Sequence, residues 1–567
     1  MAHTQPLTLI ESIEQKVKEK PDAVAFFSET PNGWTPRTHH TYHNDILRVA
    51  ATLRRQGIEK GDRIAILARP AYEWEVADKA IMYLGGITVG LDPKSTGRDL
   101  EYIIENAGIR GLFAENHELL ELISPPSRDR LAFICLFEAD PATDGRLHNL
   151  GALLEKAPET VLPCEARPHD VAAIIFTSGT TGRPKGIPLS HHQLTLGFHA
   201  MEKAFAAEFQ RGHHKTLIWI PLSNGTGRLV SSLCYHLGVA QYFIKDPLSL
   251  FGKVKELNPT FLIVVPRLLE KVYSEIRKKL REKPFAAFLV NKLLALRAHL
   301  PYPALLTLTD HLLIGKLRRA VWGSGMRFLI SGSAPVDARI LRFFDALGVP
   351  TYEVYGASEA AMLMTMNHPG ALRYGSVGQP ASIMDLRLAA DGEILVKTPA
   401  ALKNYWGETD SGRLFDEEGY LKTGDLGRLE DGYVYITGRK KEIIKTSTGQ
   451  RISPNEIESN YKDILGIEQF VVIGNGRKYL TALVTMDESF KSQLLATKEE
   501  PTFYLHREIE KRNPTIQNNR QVKKFALLPA PLSIEAGELT TTLKVRRAEV
   551  EKRYQQIINT MYPEEDI

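Results

Sequence analysis

Apolar and polar positions along the chain fall into two textures. Short, unbroken apolar runs recur up to about residue 372: RIAIL at 63–67, AAIIF at 172–176, FLIVV at 261–265 and RFLIS at 327–331. Runs of this length without polar alternation predict strands buried on both faces, as in a parallel sheet. Between them, apolar residues recur at helical spacing, notably over 74–84 and 268–280. Alternating strands and helices predict an α/β fold with helices on both faces of the sheet. After about residue 372 the texture changes. In DLRLAADGEILVKT and in GRLEDGYVYITG an Asp-Gly pair separates two strand-like runs, which predicts β-hairpins. Past Gly438 the pattern becomes that of a compact α+β unit, with EIIKT, TGQRIS, a helix from Pro454, and the runs QFVVIG and LTALVTM. Ser453, Pro454 and Glu456 predict a capping box at that helix start, and Ser190 with Gln193 predicts another. The chain therefore divides into a large α/β part of several subdomains, 1–438, and a small α+β domain, 439–567.

Composition narrows the function classes. The 567 residues are 43% hydrophobic and 24% charged, which fits a folded globular protein rather than a disordered one. A net charge of +4 is too small for its size to mark a nucleic-acid binder. Cys135, Cys164 and Cys234 form neither a CxxC pair nor a disulfide framework, so a reducing, cytoplasmic setting is expected. The first twenty residues lack the basic-then-apolar order of a signal peptide, and no apolar run reaches the ~18 residues of a membrane span. The stretch FAAFLVNKLLALRAHL, 285–300, predicts an amphipathic helix. Such a stripe usually packs into the protein's own core; the alternative is peripheral contact with the inner face of a membrane, or with a greasy substrate.

The strongest chemical signal is TSGTTGRPKG, Thr177–Gly186, between the strand AAIIF and the short strand IPL. Gly179, Gly182 and Gly186 keep side chains out of the way, so that backbone N–H groups can wrap phosphate oxygens. The hydroxyls of Thr177, Ser178, Thr180 and Thr181 add donors, and Lys185 adds positive charge. A surface loop of the same composition would not need a buried strand before it. The segment lacks the GxxxxGK[ST] and GxGxxG patterns, which disfavours P-loop kinases and dinucleotide-binding dehydrogenases.

With this segment the sequence resembles the adenylate-forming superfamily, which comprises acyl-CoA synthetases, peptide-synthetase adenylation domains and luciferases. Five further segments are similar to that family's motifs and occur in its order: GSAP at 332–335, YGASE at 355–359, TGD at 423–425 with GRKKE at 438–442, TGQRISPNEIE at 448–458, and ELTTTLKVRR at 538–547. The resemblance implies ATP and Mg²⁺ as reactants' partners and coenzyme A as co-substrate. It implies an adenine site at Gly332, Ser333, Ala334, Pro335, Tyr355 and Gly356, with Ser358 beside it. Asp425 and Arg439 would hold the ribose, and Thr180 and Glu359 would serve the metal. Lys544 would act at the α-phosphate, Lys441 would be the hinge, and Gly449 would lie on the coenzyme A path. The roles make physical sense: a flat ring stacks on a purine, a hard ion takes carboxylate oxygens, and an ammonium stabilises growing phosphoryl charge.

VPRLLEKVYSEI at 265–276 and the segment 519–547 resemble long-chain fatty acid–CoA ligases, which implies a fatty acid substrate. A fatty acyl-AMP ligase serving a carrier protein, a coenzyme A ligase for another acid, and a degenerate nucleotide-binding homologue are the rivals. Three positions depart from the family pattern: Asn224 stands where histidine is usual, Ser358 where threonine is usual, and Thr541 where proline is usual. Asn224 is the acyl-site candidate among them.

Overall fold

The computed structural model describes residues 8–30, 33–138, 147–155, 163–177, 183–209, 213–299, 313–361, 363–408, 414–540 and 544–562. Its largest sheet contains β3 (Arg63–Leu67), β4 (Ile87–Leu91), β5 (Gly111–Ala114), β6 (Phe133–Leu136), β7 (Leu147–Asn149), β8 (Val171–Thr177) and β9 (Lys185–Ser190). The order is β7-β6-β5-β3-β4-β8-β9, parallel except for β9, which returns antiparallel to β8. Ile64, Ala65, Ile66 and Leu67 are fully buried, as the unbroken apolar run requires.

A second sheet starts with parallel β12 (Phe261–Val264), β13 (Phe328–Ser331) and β14 (Thr351–Tyr355), and ends with antiparallel β15 (Thr365–Met366) and β16 (Gln379–Pro380). A third joins β10 (Lys215–Ile218) and β11 (Ala240–Phe243) to the hairpin of β1 (Val24–Thr30) and β2 (Gly33–Thr38). The chain is α/β here, as its alternation predicts.

β17 (Asp385–Leu388), β18 (Glu393–Lys397), β19 (Leu421–Glu430) and β20 (Tyr433–Arg439) form an antiparallel meander. Both Asp-Gly pairs sit between strands, and at the second Asp431 and Gly432 have φ of 49° and 80°. Two consecutive positive φ values give the tight turn whose twist suits a hairpin.

The remaining strands, the β21–β22 ribbon (Ile444–Lys445 with Arg451–Ile452) and the sheet of β23 (Ile467–Ile473), β24 (Leu480–Met486) and β25 (Val522–Leu527), form the separate C-terminal α+β unit. Its apolar clusters contain residues from Ile444 onward, whereas those of the large part end at Val434. The core is thus interrupted on either side of Lys441. β20 continues to Arg439, one residue past the boundary drawn from the sequence. Across the junction the two parts meet through partly exposed polar pairs, among them Arg339–Asp463 at 2.8 Å and Arg267–Glu468 at 3.7 Å. Such pairs contribute little each and leave relative movement inexpensive.

Two local expectations meet different outcomes. Ser190 and Gln193 do form a reciprocal capping box, with N···O distances of 2.8 and 3.2 Å. Ser453 and Glu456 do not: Ser453 makes no cap bond. Its Oγ is buried against Gly438, where a Cβ would come within 2.4 Å, and Glu456 is paired with Arg520 instead. The expected 285–300 helix runs Pro284–His299. Val290 is 1% exposed within an apolar cluster, in keeping with the core-packing expectation, whereas Phe285, Phe288 and Leu289 are 80%, 58% and 40% exposed.

Candidate active site

One cavity of about 1880 Å³ separates the large part from the small domain. Most of the residues singled out by sequence line it, and they arrive from strand ends. Thr177 closes β8 and faces Lys185 across the β8–β9 pair. The connection between them carries Ser178, Gly179, Thr180, Thr181 and Gly182, which lie outside the described residues. Gly332 follows β13 so closely along β14 that a Cβ would lie 3.0 Å from Val354. Ser333 adopts φ 77°, a left-handed conformation that costs a non-glycine residue energy and is often found at binding sites. Ala334 and Pro335 continue this turn along the cavity wall.

Beneath the turn lies a residue that the motifs did not single out. Glu353, on β14, is 4% exposed, and its Oε1 accepts a hydrogen bond from Val336 N at 3.1 Å. Burial pushes its carboxyl up to about 8, against the pull of backbone hydrogen bonds from Val336 and Gly375. The only clue in the sequence was an acid within the strand-like run TYEVY.

Tyr355 ends β14, and Gly356 leads into the short turn Ser358–Ala360 that holds Glu359. Glu359 Oε1 accepts from the Tyr405 hydroxyl at 3.1 Å, and Leu402 N donates to its carbonyl at 2.8 Å. Lys185 Nζ donates to Glu408 Oε1 at 2.8 Å and stands 4.5 Å from the centre of the Tyr405 ring. Tyr405 and Glu408 were not predicted either; they follow no spacing rule and reach the site only through the fold.

Asp425, 5% exposed, accepts from the Tyr355 hydroxyl at 2.7 Å on one oxygen and from Arg439 Nε at 2.8 Å on the other. Burial raises the Tyr355 phenol well above its ordinary range, and the Asp425 charge adds to the effect. The expected ribose-binding pair is therefore a pre-formed triad of ring, carboxylate and guanidinium.

From the small domain, Lys441 and Lys544 reach the same cavity. Enclosure by the cavity walls, aided by the Arg439 guanidinium, lowers the Lys544 ammonium below the ordinary lysine range, against Asp425 and Glu442. Lys544 itself is nevertheless exposed to solvent. Gly449 is elsewhere. It has φ 81° on the β21–β22 turn, is exposed, and is absent from the cavity lining. Lys544 and Gly449 are thus not brought together in this arrangement.

Asn224 lines the cavity and also caps the helix Gly225–His236, its Oδ1 accepting from Gly227 N at 3.0 Å. From that cap, Gly225, Thr226, Leu229, Val230 and Leu233 form a stripe along the cavity wall, repeating every helical turn. The back of the same helix is fixed by Arg228, which is 2% exposed, lies 3.3 Å from Asp78 and 4.9 Å from the Trp74 ring. Asp78 also pairs with Lys79 at 2.6 Å. A buried charge group of this kind fixes orientation more reliably than it adds stability.

The AMP-binding enzyme family matches residues 13–406, and the AMP-binding enzyme C-terminal domain matches 441–566. A long-chain-fatty-acid–CoA ligase of Mycobacterium bovis, FadD15, is 30% identical over 97% of this chain and 96% of its own. The human long-chain-fatty-acid–CoA ligase ACSBG2 is 26% identical over 99% of this chain and 93% of its own. Among solved structures, the anthranilate CoA ligase AuaEII with anthranoyl-AMP superposes with a TM-score of 0.78 at 20% identity, covering 98% of this chain and 99% of that one. The adenylation domain of a carboxylate reductase from Mycobacterium chelonae gives 0.80 at 19% identity, with 99% and 92% covered. The chain belongs to the AMP-binding enzyme family.

Proposed function

We propose that this protein is an ATP-dependent long-chain fatty acid–CoA ligase. The observation that carries the reading is a single cavity that joins the polar residues of a nucleotide site to an apolar stripe on the helix Gly225–His236. Relatives named long-chain-fatty-acid–CoA ligases, similar over nearly their full length, support the same substrate. Leu233 lies nine residues beyond Asn224, so the stripe is about 14 Å long at ~1.5 Å per residue. An extended alkyl chain with ~1.5 Å bonds advances about 1.25 Å per carbon, so the stripe accommodates about eleven carbons.

In the first step a fatty carboxylate oxygen attacks the α-phosphorus of ATP. The bond to the β-phosphate bridge breaks, and pyrophosphate leaves acyl-AMP. Tyr355 offers its ring to the adenine beside Gly332–Pro335, and Asp425 and Arg439 meet the ribose. Lys544 offsets charge on the α-phosphate, while Lys185, Thr177 and the loop 178–182 meet the outer phosphates. The protein positions and stabilises; no side chain needs to act as nucleophile. Glu359 and the hydroxyl of Thr180 are the proposed metal ligands. Among the described residues no group of three or more His, Cys, Asp or Glu gathers to hold a metal. A lone carboxylate suits Mg²⁺, which keeps waters and is carried mainly by substrate phosphates. When bound, that ion neutralises phosphate charge during the displacement.

In the second step the thiol of coenzyme A attacks the acyl carbonyl, the bond to AMP breaks, and the thiol proton passes to solvent. The small domain, with its hinge at Lys441, turns between the two steps, withdrawing Lys544 and bringing Gly449 to the thiol path. The decisive assay measures AMP formation across acids from acetate to oleate, with and without coenzyme A. AMP release that depends on coenzyme A supports the ligase; release only with an acyl carrier protein supports the acyl-AMP ligase.

Peripheral membrane contact belongs to the same proposal. No described helix is long and apolar enough to cross a membrane. Phe285, Phe288 and Leu289 share one exposed face of the helix Pro284–His299, while Ala287 and Asn291 line the cavity. Residues 277–292 carry six Lys/Arg against one Glu. Aromatics beside cations suit an anionic bilayer. Flotation with anionic but not neutral vesicles, lost in Phe285→Ser/Phe288→Ser, supports this contact; equal flotation of the two proteins contradicts it.

A further inference from the structure

Residues 400–408 cross the cavity wall as a strap, tied at both ends by atoms outside it. Gln193 Nε2 donates to the carbonyls of Ala400 and Ala401 at 3.2 and 2.9 Å. Leu402 N donates to Glu359 O at 2.8 Å, and Trp406 N donates to Gly186 O at 2.8 Å. The strap thus links the start of the helix His191–Phe209, the turn holding Glu359, and the strand holding Lys185. Two of its side chains contact those functional groups directly. The Tyr405 hydroxyl donates to Glu359 Oε1 at 3.1 Å, and its ring lies 4.5 Å from Lys185 Nζ. Glu408 takes the lysine at 2.8 Å.

We infer that Tyr405 and Glu408 are positioning residues for the phosphate end of the site, acting through Glu359 and Lys185. The inference rests on the proposed role of Glu359 toward the metal. A carboxylate on a one-turn helix has freedom to rotate, and a hydroxyl on Oε1 selects one orientation and leaves Oε2 uncommitted by that bond. Hydrogen-bond partners that orient a metal's ligands are typically worth ten- to a hundredfold in affinity. The Tyr405 ring keeps Lys185 close without competing for phosphate oxygens, because its attraction to the cation uses the face of the ring. Glu408 does compete. It holds Lys185 by an ion pair that incoming phosphate must displace, so its removal has the opposite sign to that of Tyr405.

The test uses the full-length protein with Mn²⁺ and a non-hydrolysable ATP analogue, metal occupancy being read by electron paramagnetic resonance. Tyr405→Phe, which keeps the ring and deletes only the hydroxyl, is expected to raise the Mn²⁺ midpoint about tenfold. Its pyrophosphate release with fatty acid is expected to recover toward wild type as free Mg²⁺ is raised. Glu408→Gln is expected to tighten analogue binding several-fold without moving the metal midpoint. Circular dichroism and the urea midpoint, read without ligand, check that the variants are folded. An unchanged metal midpoint in folded Tyr405→Phe overturns the positioning role of Tyr405, as does a rate loss that added Mg²⁺ does not relieve. Weaker analogue binding by Glu408→Gln overturns the competing role of Glu408. The metal readout needs no fatty acid, so it stands apart from failure of the substrate assignment, which appears as a wild-type protein that binds the analogue but activates no fatty acid.

Discussion

Leu233 is expected to set the acyl-chain length, and changing it should move that limit in a calculable direction. It is the last member of the stripe that starts at Asn224. Leu233 shares one buried apolar cluster with Phe198, which is 1% exposed and packs 5.2 Å from the His236 ring; that histidine in turn bonds Ser12 of the helix Leu9–Glu19 at 3.1 Å. Leu233→Phe adds bulk at the floor and excludes about two methylenes. At ~0.8 kcal/mol per buried methylene the loss is about 1.6 kcal/mol, or roughly fifteenfold in kcat/KM, for acids that reach the floor. Acids of about eight carbons end well above Leu233 and should be unaffected. Leu233→Ala opens the floor and should shift the optimum about two carbons longer, at some cost in stability. The assay is kcat/KM for AMP formation over saturated acids of six to eighteen carbons, with KM for ATP as control. If both variants fold, keep the wild-type KM for ATP and leave the ratio of long to medium acids unchanged, the stripe is not the acyl wall.

Other outcomes follow from the same geometry. Asn224→Ala removes a helix cap and should lower stability by about 1 kcal/mol, whereas Asn224→Asp should retain it; urea midpoints decide. Asn224→His should also alter the ranking of acids without changing ATP affinity, and an unaltered ranking would remove Asn224 from the acyl site. Lys544→Ala should slow pyrophosphate release a hundred- to a thousandfold, ~2.7–4 kcal/mol, yet convert supplied acyl-AMP. Gly449→Leu should do the reverse, and equal loss of both half-reactions in folded variants would contradict the turning of the small domain. Since the Lys544 pKa is lowered, the pyrophosphate half-reaction should lose rate as pH rises, with a midpoint below the ordinary 10.5 of a lysine. That limb should be absent when acyl-AMP is supplied. Glu353 binds its proton up to about 8 in the folded protein but only to about 4.5 when unfolded, so stability should fall as pH rises between these values. Glu353→Gln should flatten the dependence, read as urea midpoints at about pH 5 and about pH 8; an unchanged slope would place the titration elsewhere.

Local features were the most legible in the sequence. β3 occupies 63–67, as its apolar run predicts, and the Asp-Gly pairs sit in turns because the chain needs φ > 0 there. Thr177, Lys185, Gly332, Tyr355 and Arg439 converge because they lie at or next to strand ends, Asp425 joins them from within β19, and all of them line one crevice. What escaped was non-local. β1 pairs in parallel with β11 at Phe26 and Gln241, and no short-range pattern records such a partner. Tyr405 and Glu408 reach Glu359 and Lys185 through a loop whose spacing carries no rule. The capping pattern at Ser453 was present but overruled, since Gly438 packs on its hydroxyl and Arg520 takes Glu456. Asn224 read as a departure in substrate chemistry, and its firmest observed role is as a helix cap. The charge group of Asp78, Lys79 and Arg228 was invisible because Arg228 is far in sequence from the other two and meets them only where their helices pack.

The most direct test of the ligase assignment follows AMP and pyrophosphate together in the purified full-length protein with Mg²⁺–ATP and dodecanoate, whose eleven carbons beyond the carboxyl match the stripe, with coenzyme A omitted and then added. Pyrophosphate release should be limited to about one equivalent per protein without coenzyme A, with sustained AMP and dodecanoyl-CoA formation once it is added. Acetate, benzoate or an amino acid should give far slower turnover. Turnover unaffected by coenzyme A, or fastest with one of those small acids, would contradict the assignment.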